Sequence, residues 1–381
     1  MRVLFIARYR DATMHRKVEL LRQHPDLAVT TVYPRYWRDE LLTVQQAAQH
    51  DPSRITLAML GNPADPHRAL YRTLAFGMLR MRPHIIHAEE EPDSLAAVQI
   101  AAARLLFAPQ ARLLLHSWQN IIRPRALPVE AVYWLTLWAS DGILCASREA
   151  VAVLRQHNYK QAAPVIPAVG VDTQVFVPRE REPDPTHGLT IGYAGRLVPE
   201  KGVDVLITAL QLLRADHRLP PVRLVLLGDG PTRPALVAQV LAAELGDRVE
   251  FAGAQPPAQV AQWLHSLHLL VLPSRTTPVW KEQFGRILVE AMASGVPVVG
   301  AQSGAIPEVI GDAGLTFPEG DAAALADGLH RLVVSPELRR VYARRGLAHV
   351  QQYTQTSLAA RTAAFYRVLR HAAPPARVMR A

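Results

Sequence analysis

Short apolar runs alternate with longer amphipathic segments through both halves of the chain. This alternation is expected when parallel strands are connected by crossover helices. In the first half it predicts strands at Val3–Ala7, Val29–Tyr33, Ile85–His87, Leu113–Leu115, Gly142–Cys145 and Val165–Ile166. It also predicts helices at Met14–Gln23, Ser94–Leu106 and Arg148–His157. The first half therefore has the pattern of one doubly wound α/β domain.

The alternation stops near the middle of the chain and then restarts. Residues 177–188 contain three prolines and many charges without apolar periodicity, which is typical of a surface linker. After it, strands are predicted at Thr190–Ala194, Val222–Gly228, Val249–Ala252, Leu269–Leu272, Val296–Gly300 and Leu315–Phe317. Helical spacing covers the stretch from Pro336 to about Arg370. These patterns predict a second doubly wound domain that is followed by C-terminal helices.

The predicted organisation is two Rossmann-like domains, 1–176 and 189–350, with a linker at 177–188 and a C-terminal helix and tail at 351–381. Ligands of open parallel sheets bind outside the carboxyl ends of the strands, at switch points of the strand order. We therefore expect the two domains to face each other across a cleft. Packing of the C-terminal helix back on the first domain stays open.

Composition narrows the classes of protein only slightly. Hydrophobic residues make up 49% and charged residues 20% of the 381 residues, as in ordinary globular proteins. The net charge of +9 attracts anionic partners, but the arginines are spread along the chain rather than clustered with aromatics, which argues against nucleic acid. The single cysteine, Cys145, excludes a disulfide framework and favours a cytoplasmic setting with Cys145 as a buried spectator.

Membrane contact is a separate question. No apolar stretch reaches the roughly 18 residues that a spanning helix needs. Tyr71–Arg82 and Val132–Trp138 mix apolar and aromatic residues, as interfacial helices do. Core-facing helices would have the same pattern, so we prefer the core, and peripheral contact with the inner membrane face stays open.

The most specific segment runs from Glu282 to Val299 and holds two glutamates, Glu282 and Glu290, with seven residues between them. Phe-Gly after the first glutamate and Glu-Ala-Met-Ala-x-Gly-x-Pro-Val-Val from the second resemble the signature of family 4 glycosyltransferases. The resemblance implies a GT-B fold, with a donor site made of Glu282, Glu290 and three residues before the helix: Phe284, Gly285 and Arg286. Gly285 lacks a β-carbon just before a helix, where backbone N–H groups and the helix dipole suit a diphosphate. Glu282 can accept hydrogen bonds from sugar hydroxyls, and Glu290, in an apolar helix, needs a polar partner such as a ribose.

Further segments of the second half resemble the same family. Gly195 and Arg196 end a strand and Lys201 follows five residues later, like the family's Gly-Arg-Leu-x-x-x-Lys-Gly segment, whose cations contact the donor diphosphate. Such cations would neutralise charge on the departing diphosphate. Gly228 and Gly253 match turns on the nucleotide side. Ser303–Val309 resembles the Gly-Gly-x-Pro-Glu segment with serine in place of the first glycine.

The resemblance covers the second domain and thins out in the first. The family's glycine-rich loop after the first strand is replaced by Ala7–Lys17, which has no glycine. Its basic side chains could meet a phosphate instead, or could form a solvated basic face; they are Arg8, Arg10, His15, Arg16 and Lys17.

The family's first-domain histidine near the reacting carbon has two candidates here, His116 and Gln119. His116 fits if the strand ends early. Gln119 fits if Ser117 replaces the threonine that lies two residues before the family's histidine. The register of the strand slightly favours Gln119. The acidic run Glu89–Ser94 precedes a helix. It holds either a helix cap or an acid that binds the acceptor.

The resemblance implies a metal-independent, hexosyltransferase-like enzyme of polysaccharide or glycoconjugate biosynthesis that keeps the donor's anomeric configuration. Its donor is a nucleotide-diphosphate sugar, no further cofactor is expected, and the acceptor is a glycan, lipid or small molecule. The implied catalytic residues are Arg196, Lys201, Glu282 and either Gln119 or His116. A non-catalytic sugar-nucleotide-binding subunit is the alternative. A nicotinamide-dependent enzyme is disfavoured because no Gly-x-Gly-x-x-Gly opens the first helix.

Overall fold

Each half of the chain folds around a six-stranded parallel β-sheet. The computed structural model describes residues 1–9, 12–38, 43–45, 51, 53–61, 65–74, 78, 81–179 and 188–373. Its first unit is Met1–Val169 together with the C-terminal helix, and its second unit is Gly170–Thr354.

The first unit has a sheet in the order β10-β9-β8-β1-β2-β5, in which all pairs are parallel. Two antiparallel hairpins, β3-β4 and β6-β7, branch from it. The strands are β1 (Arg2–Ile6), β2 (Ala28–Pro34), β3 (Tyr36–Arg38), β4 (Thr43–Gln45), β5 (Arg54–Leu57), β6 (Met59–Gly61), β7 (Ala69–Tyr71), β8 (Ile85–Ala88), β9 (Arg112–Ser117) and β10 (Gly142–Cys145). The helices are α1 (Ala12–Arg22), α2 (Leu95–Phe107), α3 (Leu127–Ala139) and α4 (Arg148–Gln156).

The second unit has a sheet in the order β13-β12-β11-β14-β15-β16. Its strands are β11 (Leu189–Ala194), β12 (Val222–Leu227), β13 (Val249–Gly253), β14 (Leu269–Leu272), β15 (Val298–Ala301) and β16 (Leu315–Phe317). Its helices are α5 (Val203–Arg214), α6 (Arg233–Ala242), α7 (Pro257–His265), α8 (Arg286–Ala293), α9 (Ile306–Ile310), α10 (Ala322–Val334) and α11 (Pro336–His349). A 3₁₀ helix, Val350–Tyr353, follows.

Both sheets have the same doubly wound strand order. Counted along the chain within each sheet, the order is 3-2-1-4-5-6, and the switch points are β1/β8 and β11/β14. The central strands are buried on both faces, which is why they are continuous apolar runs. The prediction of two doubly wound α/β domains is confirmed, and the cleft between them stays a prediction.

The C-terminal helix α12 (Gln355–His371) is part of the first unit. Its buried residues Leu358, Ala363 and Tyr366 join the core that includes Phe5 of β1. The Tyr366 hydroxyl lies 2.6 Å from Nδ1 of His87 on β8. The first unit ends at Val169 rather than at residue 176 because Val171 pairs with Thr354 of the second unit.

Several sequence expectations differ from the structure. Val165–Ile166 is not a strand; Val165 makes only an isolated bridge to Cys145. The sixth strand of the first sheet is instead β5, which lies at the opposite edge beside β2. Most of the predicted linker, residues 180–187, lies outside the described residues, as does Arg10.

Gly228, at the end of β12, holds the tightest backbone contact around the second sheet. Its φ is +136°, and a β-carbon placed on it would lie 1.9 Å from the Gly195 carbonyl oxygen. Its N–H donates to the Gly253 oxygen at 2.8 Å. The turns after three adjacent strands therefore depend on the absence of a side chain at this position.

We expect Gly228→Ala to destabilise the second unit by at least about 2 kcal/mol, because left-handed backbone strain and a backbone clash add. Gly246→Ala is the control, since its β-carbon would meet no atom closer than 3.9 Å. Urea unfolding of the full chain measures both. Equal unfolding midpoints for the two variants would contradict the close approach.

Candidate active site

The loops after β11 and β14 meet at the switch point of the second sheet. Lys201 ends a 3₁₀ turn, Pro199–Lys201, after β11, and its Nζ donates to Glu282 Oε2 at 2.6 Å. The Ser274 hydroxyl, just past β14, donates to the same oxygen at 2.9 Å. Nζ also lies 4.7 Å from the centroid of the Trp280 ring, within cation–π distance. The structure thus joins Lys201 and Glu282 into one charged cluster.

This cluster is mostly removed from water. The side chain of Lys201 is 15% exposed and that of Glu282 is 10% exposed. Two charges desolvated to this degree are favourable only when they are paired and hydrogen-bonded. A new anion near Nζ would therefore compete with a carboxylate that already sits there.

The helix α8 begins at Gly285, whose φ is +77°. A β-carbon there would lie 3.0 Å from Leu288 and 3.1 Å from Leu272. Both the positive φ and these close contacts favour glycine. Within the described chain, no side chain caps this helix start. Its first-turn N–H groups and dipole suit an anion.

Glu290 lies on α8 and is 6% exposed. Arg286, one turn earlier, donates from Nε to Glu290 Oε1 at 2.6 Å and supplies the polar partner that an acid in an apolar helix requires. Phe284 is buried with its ring edge-on to Tyr353, 5.6 Å between centroids. Phe284 therefore packs the loop in place.

Arg196, just past β11, has a side chain that is 40% exposed and lies 3.9 Å from Glu200. The Tyr193 hydroxyl donates to its carbonyl oxygen at 2.8 Å, which fixes the backbone after Gly195. Gly253 has open space around its α-carbon, with nothing within 4 Å of a placed β-carbon. The residues predicted from the second-half motifs thus lie at or beyond the carboxyl ends of β11 to β15.

The second unit resembles known proteins in sequence. Residues 178–349, slightly less than half of the chain, match the family model Glycosyl transferases group 1. This matched segment is called the group 1 domain below. D-inositol 3-phosphate glycosyltransferase of Segniliparus rotundus is 32% identical over 225 residues, 54% of this chain and 47% of that protein. The chain spans about half the length of the curated relatives it matches.

Solved structures resemble the whole chain in fold. Sucrose-phosphate synthase from Thermosynechococcus elongatus has a TM-score of 0.69 at 20% identity, over 97% of this chain and 99% of that one. HepE from Anabaena, in complex with UDP, has a TM-score of 0.73 at 19% identity, over 97% and 100%. At such identities the similarity shows a shared fold of the group 1 domain and of the unit before it.

The first unit differs from the group 1 domain in how its switch point is filled. Glu89, Glu90 and Glu91 follow β8 and each has its own partner. Arg8, after β1, donates from Nε to Glu90 Oε1 at 2.7 Å. Lys17 is fully buried and its Nζ lies 3.1 Å from Glu89 Oε1. The basic loop without glycine is thus paired with an acidic run through Arg8 and Lys17.

His15 and Arg16 are also engaged: His15 contacts the Tyr33 hydroxyl at 3.1 Å and Arg16 contacts Glu19 at 3.3 Å. Ser94 caps α2 by accepting from the Ala97 N–H at 3.0 Å. Of the two interpretations of the acidic run, helix capping applies to Ser94. The carboxylates before it have other partners.

His116 and Gln119 lie in different surroundings. His116 belongs to β9, is 1% exposed, and has both ring nitrogens buried. Burial and the nearby Lys17 charge lower its pKa to about 3, so the ring is neutral. Gln119 lies beyond the strand, where its amide contacts Asp93 and accepts from Arg125 Nη2 at 2.6 Å. Gln119 lines a cavity of the first unit.

Sequence reasoning missed Trp280 and Arg125. It matched Leu272–Ser274 to the family's strand end, but only the fold shows that Ser274 contacts Glu282 and that Trp280 lies against Lys201. The loop after β1 is basic and the loop after β8 is acidic. This difference in charge, visible in the sequence, could have predicted that the glutamates are paired. Cys145 is buried, and burial raises the pKa of its thiol to about 12, as suits a spectator.

The described residues contain no group of three or more histidine, cysteine, aspartate or glutamate side chains placed to hold a metal ion. Within the same ranges, each helix is too short or too polar to cross a bilayer.

Glu91 predicts a pH dependence of stability. Burial, followed by the charge of Asp93, raises the pKa of Glu91 to about 7, while an unfolded glutamate titrates near 4.3. The folded state therefore holds a proton that the unfolded chain has lost. Stability should fall by up to about 3 kcal/mol as pH rises between these two values and level off above them.

Urea unfolding across this pH range should show the slope in the wild type and lose it in Glu91→Gln, which keeps an acceptor for the Trp118 N–H and can donate from its amide nitrogen to the Ser117 hydroxyl. Identical slopes for both proteins would refute the assignment of the proton to Glu91.

Proposed function

We propose that this protein is a retaining, family 4 glycosyltransferase that moves a sugar from a nucleotide diphosphate to an acceptor hydroxyl. The observation that carries the proposal is the paired Lys201 and Glu282 at the switch point of the group 1 domain. A lysine held by a carboxylate, next to an uncapped helix start, suits a diphosphate that exchanges with that carboxylate.

The donor binds by replacing one anion with another. A diphosphate oxygen takes the place of Glu282 at Lys201 Nζ, with further contacts from Arg196 and from the N–H groups after Gly285. Glu282 then turns to the sugar hydroxyls, and Glu290 accepts from the ribose. Uridine is the base we propose first, because the HepE neighbour was solved with UDP and with UDP-glucose.

The reaction forms a bond between the acceptor oxygen and the anomeric carbon while the bond from that carbon to the phosphate oxygen breaks. The acceptor proton goes to the leaving phosphate, on the same face of the sugar. Lys201, Arg196 and the α8 start stabilise the departing diphosphate. No metal ion or further cofactor takes part in this proposal.

The proposed setting is the cytoplasm, with peripheral contact to the inner membrane face. Val132–Trp138 lies in α3, where Tyr133 and Leu137 are buried but Trp134 and Leu135 are exposed. One face of the helix therefore packs in the core, and the other face exposes aromatic and aliphatic side chains. Such a face suits the interface of a bilayer.

Donor binding is tested by thermal shift with UDP and UDP-glucose. Ligand at about 100 times its Kd stabilises by about 2.7 kcal/mol, so Tm should rise by roughly 5–10 °C. Lys201→Ala and Glu290→Ala should each weaken binding by about 10-fold or more, because charged hydrogen bonds contribute about 1.5–3 kcal/mol.

Arg223→Ala is the matched control, since Arg223 pairs only across the exposed surface of β12 and β13 with Glu250 at 3.1 Å. Failure of every nucleotide sugar to raise Tm would overturn the donor site. Binding without donor hydrolysis or transfer would favour the non-catalytic subunit. An inverted anomeric configuration in the NMR spectrum of the product would refute the retaining course.

A further inference from the structure

The first unit contains a cavity of about 590 Å³ beside the loop after β9, called here the Gln119 pocket. Its polar wall is a network around Asp93. The side-chain amide of Gln119 contacts Asp93 Oδ2, and His67 Nδ1 lies 3.3 Å from Oδ1. The network presents a carboxylate and an amide to the cavity in one fixed arrangement.

Arg125 holds this arrangement and is itself fully engaged. Its Nη2 donates to Gln119 Oε1 at 2.6 Å and its Nε to Asp93 Oδ2 at 3.4 Å. The guanidinium lies 3.9 Å from the centroid of the Tyr133 ring, and its side chain is 5% exposed. Arg125 is therefore a positioning residue that fixes the orientation of the Gln119 amide at the wall of the cavity.

The charge and polarity of the remaining wall differ from those of the network. Three arginines and two aspartates line the pocket, so its formal charge is positive. Arg68 and Arg123 are the exposed cations among them. Leu95, Val129 and Val132 form an apolar side. A pocket with exposed cations, a fixed amide and an apolar side fits an anionic group that is attached to an apolar portion.

The helix that borders the pocket has an apolar solvent face. Leu127 is 86%, Trp134 44% and Leu135 48% exposed, and Ala131 is exposed between them. These residues have the i, i+4, i+7, i+8 spacing of one helix face. This face, the α3 stripe, begins at the residues that line the pocket. Apolar surface of this kind on a helix marks a site of contact.

We propose that the Gln119 pocket binds the headgroup of an anionic lipid while the α3 stripe lies in the bilayer interface. Arg68 and Arg123 meet the headgroup charge, Gln119 and Asp93 meet its hydroxyls, and Leu95 and Val129 contact the start of its apolar chain. That this lipid is the acceptor rests on the proposed function. Headgroup binding does not, because it needs neither donor nor transfer.

The test is flotation of the full chain with vesicles of phosphatidylglycerol, which carries charge and hydroxyls, and with vesicles of phosphatidylcholine. The wild type should bind the first far more tightly. Arg68→Ala with Arg123→Ala should weaken that binding roughly 30-fold, about 2 kcal/mol, since each basic residue near an anionic surface contributes about half of it. Arg340→Ala with Arg344→Ala removes the same charge from exposed positions on α11 and should change little.

Gln119→Leu separates headgroup recognition from general attraction, because it alters the pocket without changing charge. It should reduce the preference for phosphatidylglycerol, whereas Trp134→Ser should weaken binding to both vesicles. An unchanged preference in Gln119→Leu would overturn the proposal, as would equal binding of both vesicles. Binding of free glycerol 3-phosphate without any vesicle binding would also overturn it, in favour of a water-dissolved ligand.

The UDP thermal shift of these variants keeps the two proposals apart. Arg68→Ala with Arg123→Ala should retain the wild-type response to UDP. Vesicle binding without a UDP response would remove the proposed function and leave the headgroup site. A UDP response without headgroup preference would remove the headgroup site and leave the proposed function.

Discussion

In each unit the first strand of the sheet lies between two strands whose connections leave in opposite directions. The chain segments beyond β1 and β8, and beyond β11 and β14, therefore diverge and leave a crevice at the carboxyl edge. Opposite charges meet in both crevices, Lys17 with Glu89 and Lys201 with Glu282. Backbone topology decides where these charges gather, and desolvation demands that they be paired.

The two crevices use the same arrangement to different ends. Lys17 is sealed from solvent, and removing one partner of a buried pair costs about 3–5 kcal/mol. Its charge is therefore committed to holding the first unit together. Lys201 keeps some exposure and has Trp280 and Ser274 beside it. In the proposed donor complex an incoming anion takes over Lys201, and Glu282 keeps the Ser274 hydroxyl and gains those of the sugar. The loop without glycine is paired with the acidic run of its own unit, so we propose that the second unit binds the diphosphate.

A strand that is buried on both faces is a continuous apolar run in the sequence. The fold was predictable wherever the strands form such runs. The inner strands of the second sheet, β11, β12, β14 and β15, are mostly buried in this way, and the positions of all six strands were predicted. The strand β5, at an edge, is only half-buried over Arg54–Leu57, so its pattern was too weak to detect. Val165–Ile166 is as apolar as a short strand but makes a single bridge, because hydrogen bonding, not hydropathy, defines a strand.

The candidate site was predictable where one short segment contains several of its members, as from Glu282 to Glu290. It was not predictable where members come from distant segments. Arg125 and Asp93 are separated along the chain by helix α2, strand β9 and a loop, and their contact exists only once β8 and β9 are paired. The choice between His116 and Gln119 likewise depended on where β9 ends, and a sequence locates strand ends poorly.

The position of α12 has a consequence for biosynthesis. The first unit is discontinuous along the chain, and its core includes Leu358, Ala363 and Tyr366. When the strands of the first sheet have been synthesised, α12, which completes the core of the first unit, has not. The second unit is contiguous and is complete by Thr354. The core of the first unit therefore stays partly exposed until the second unit has been synthesised.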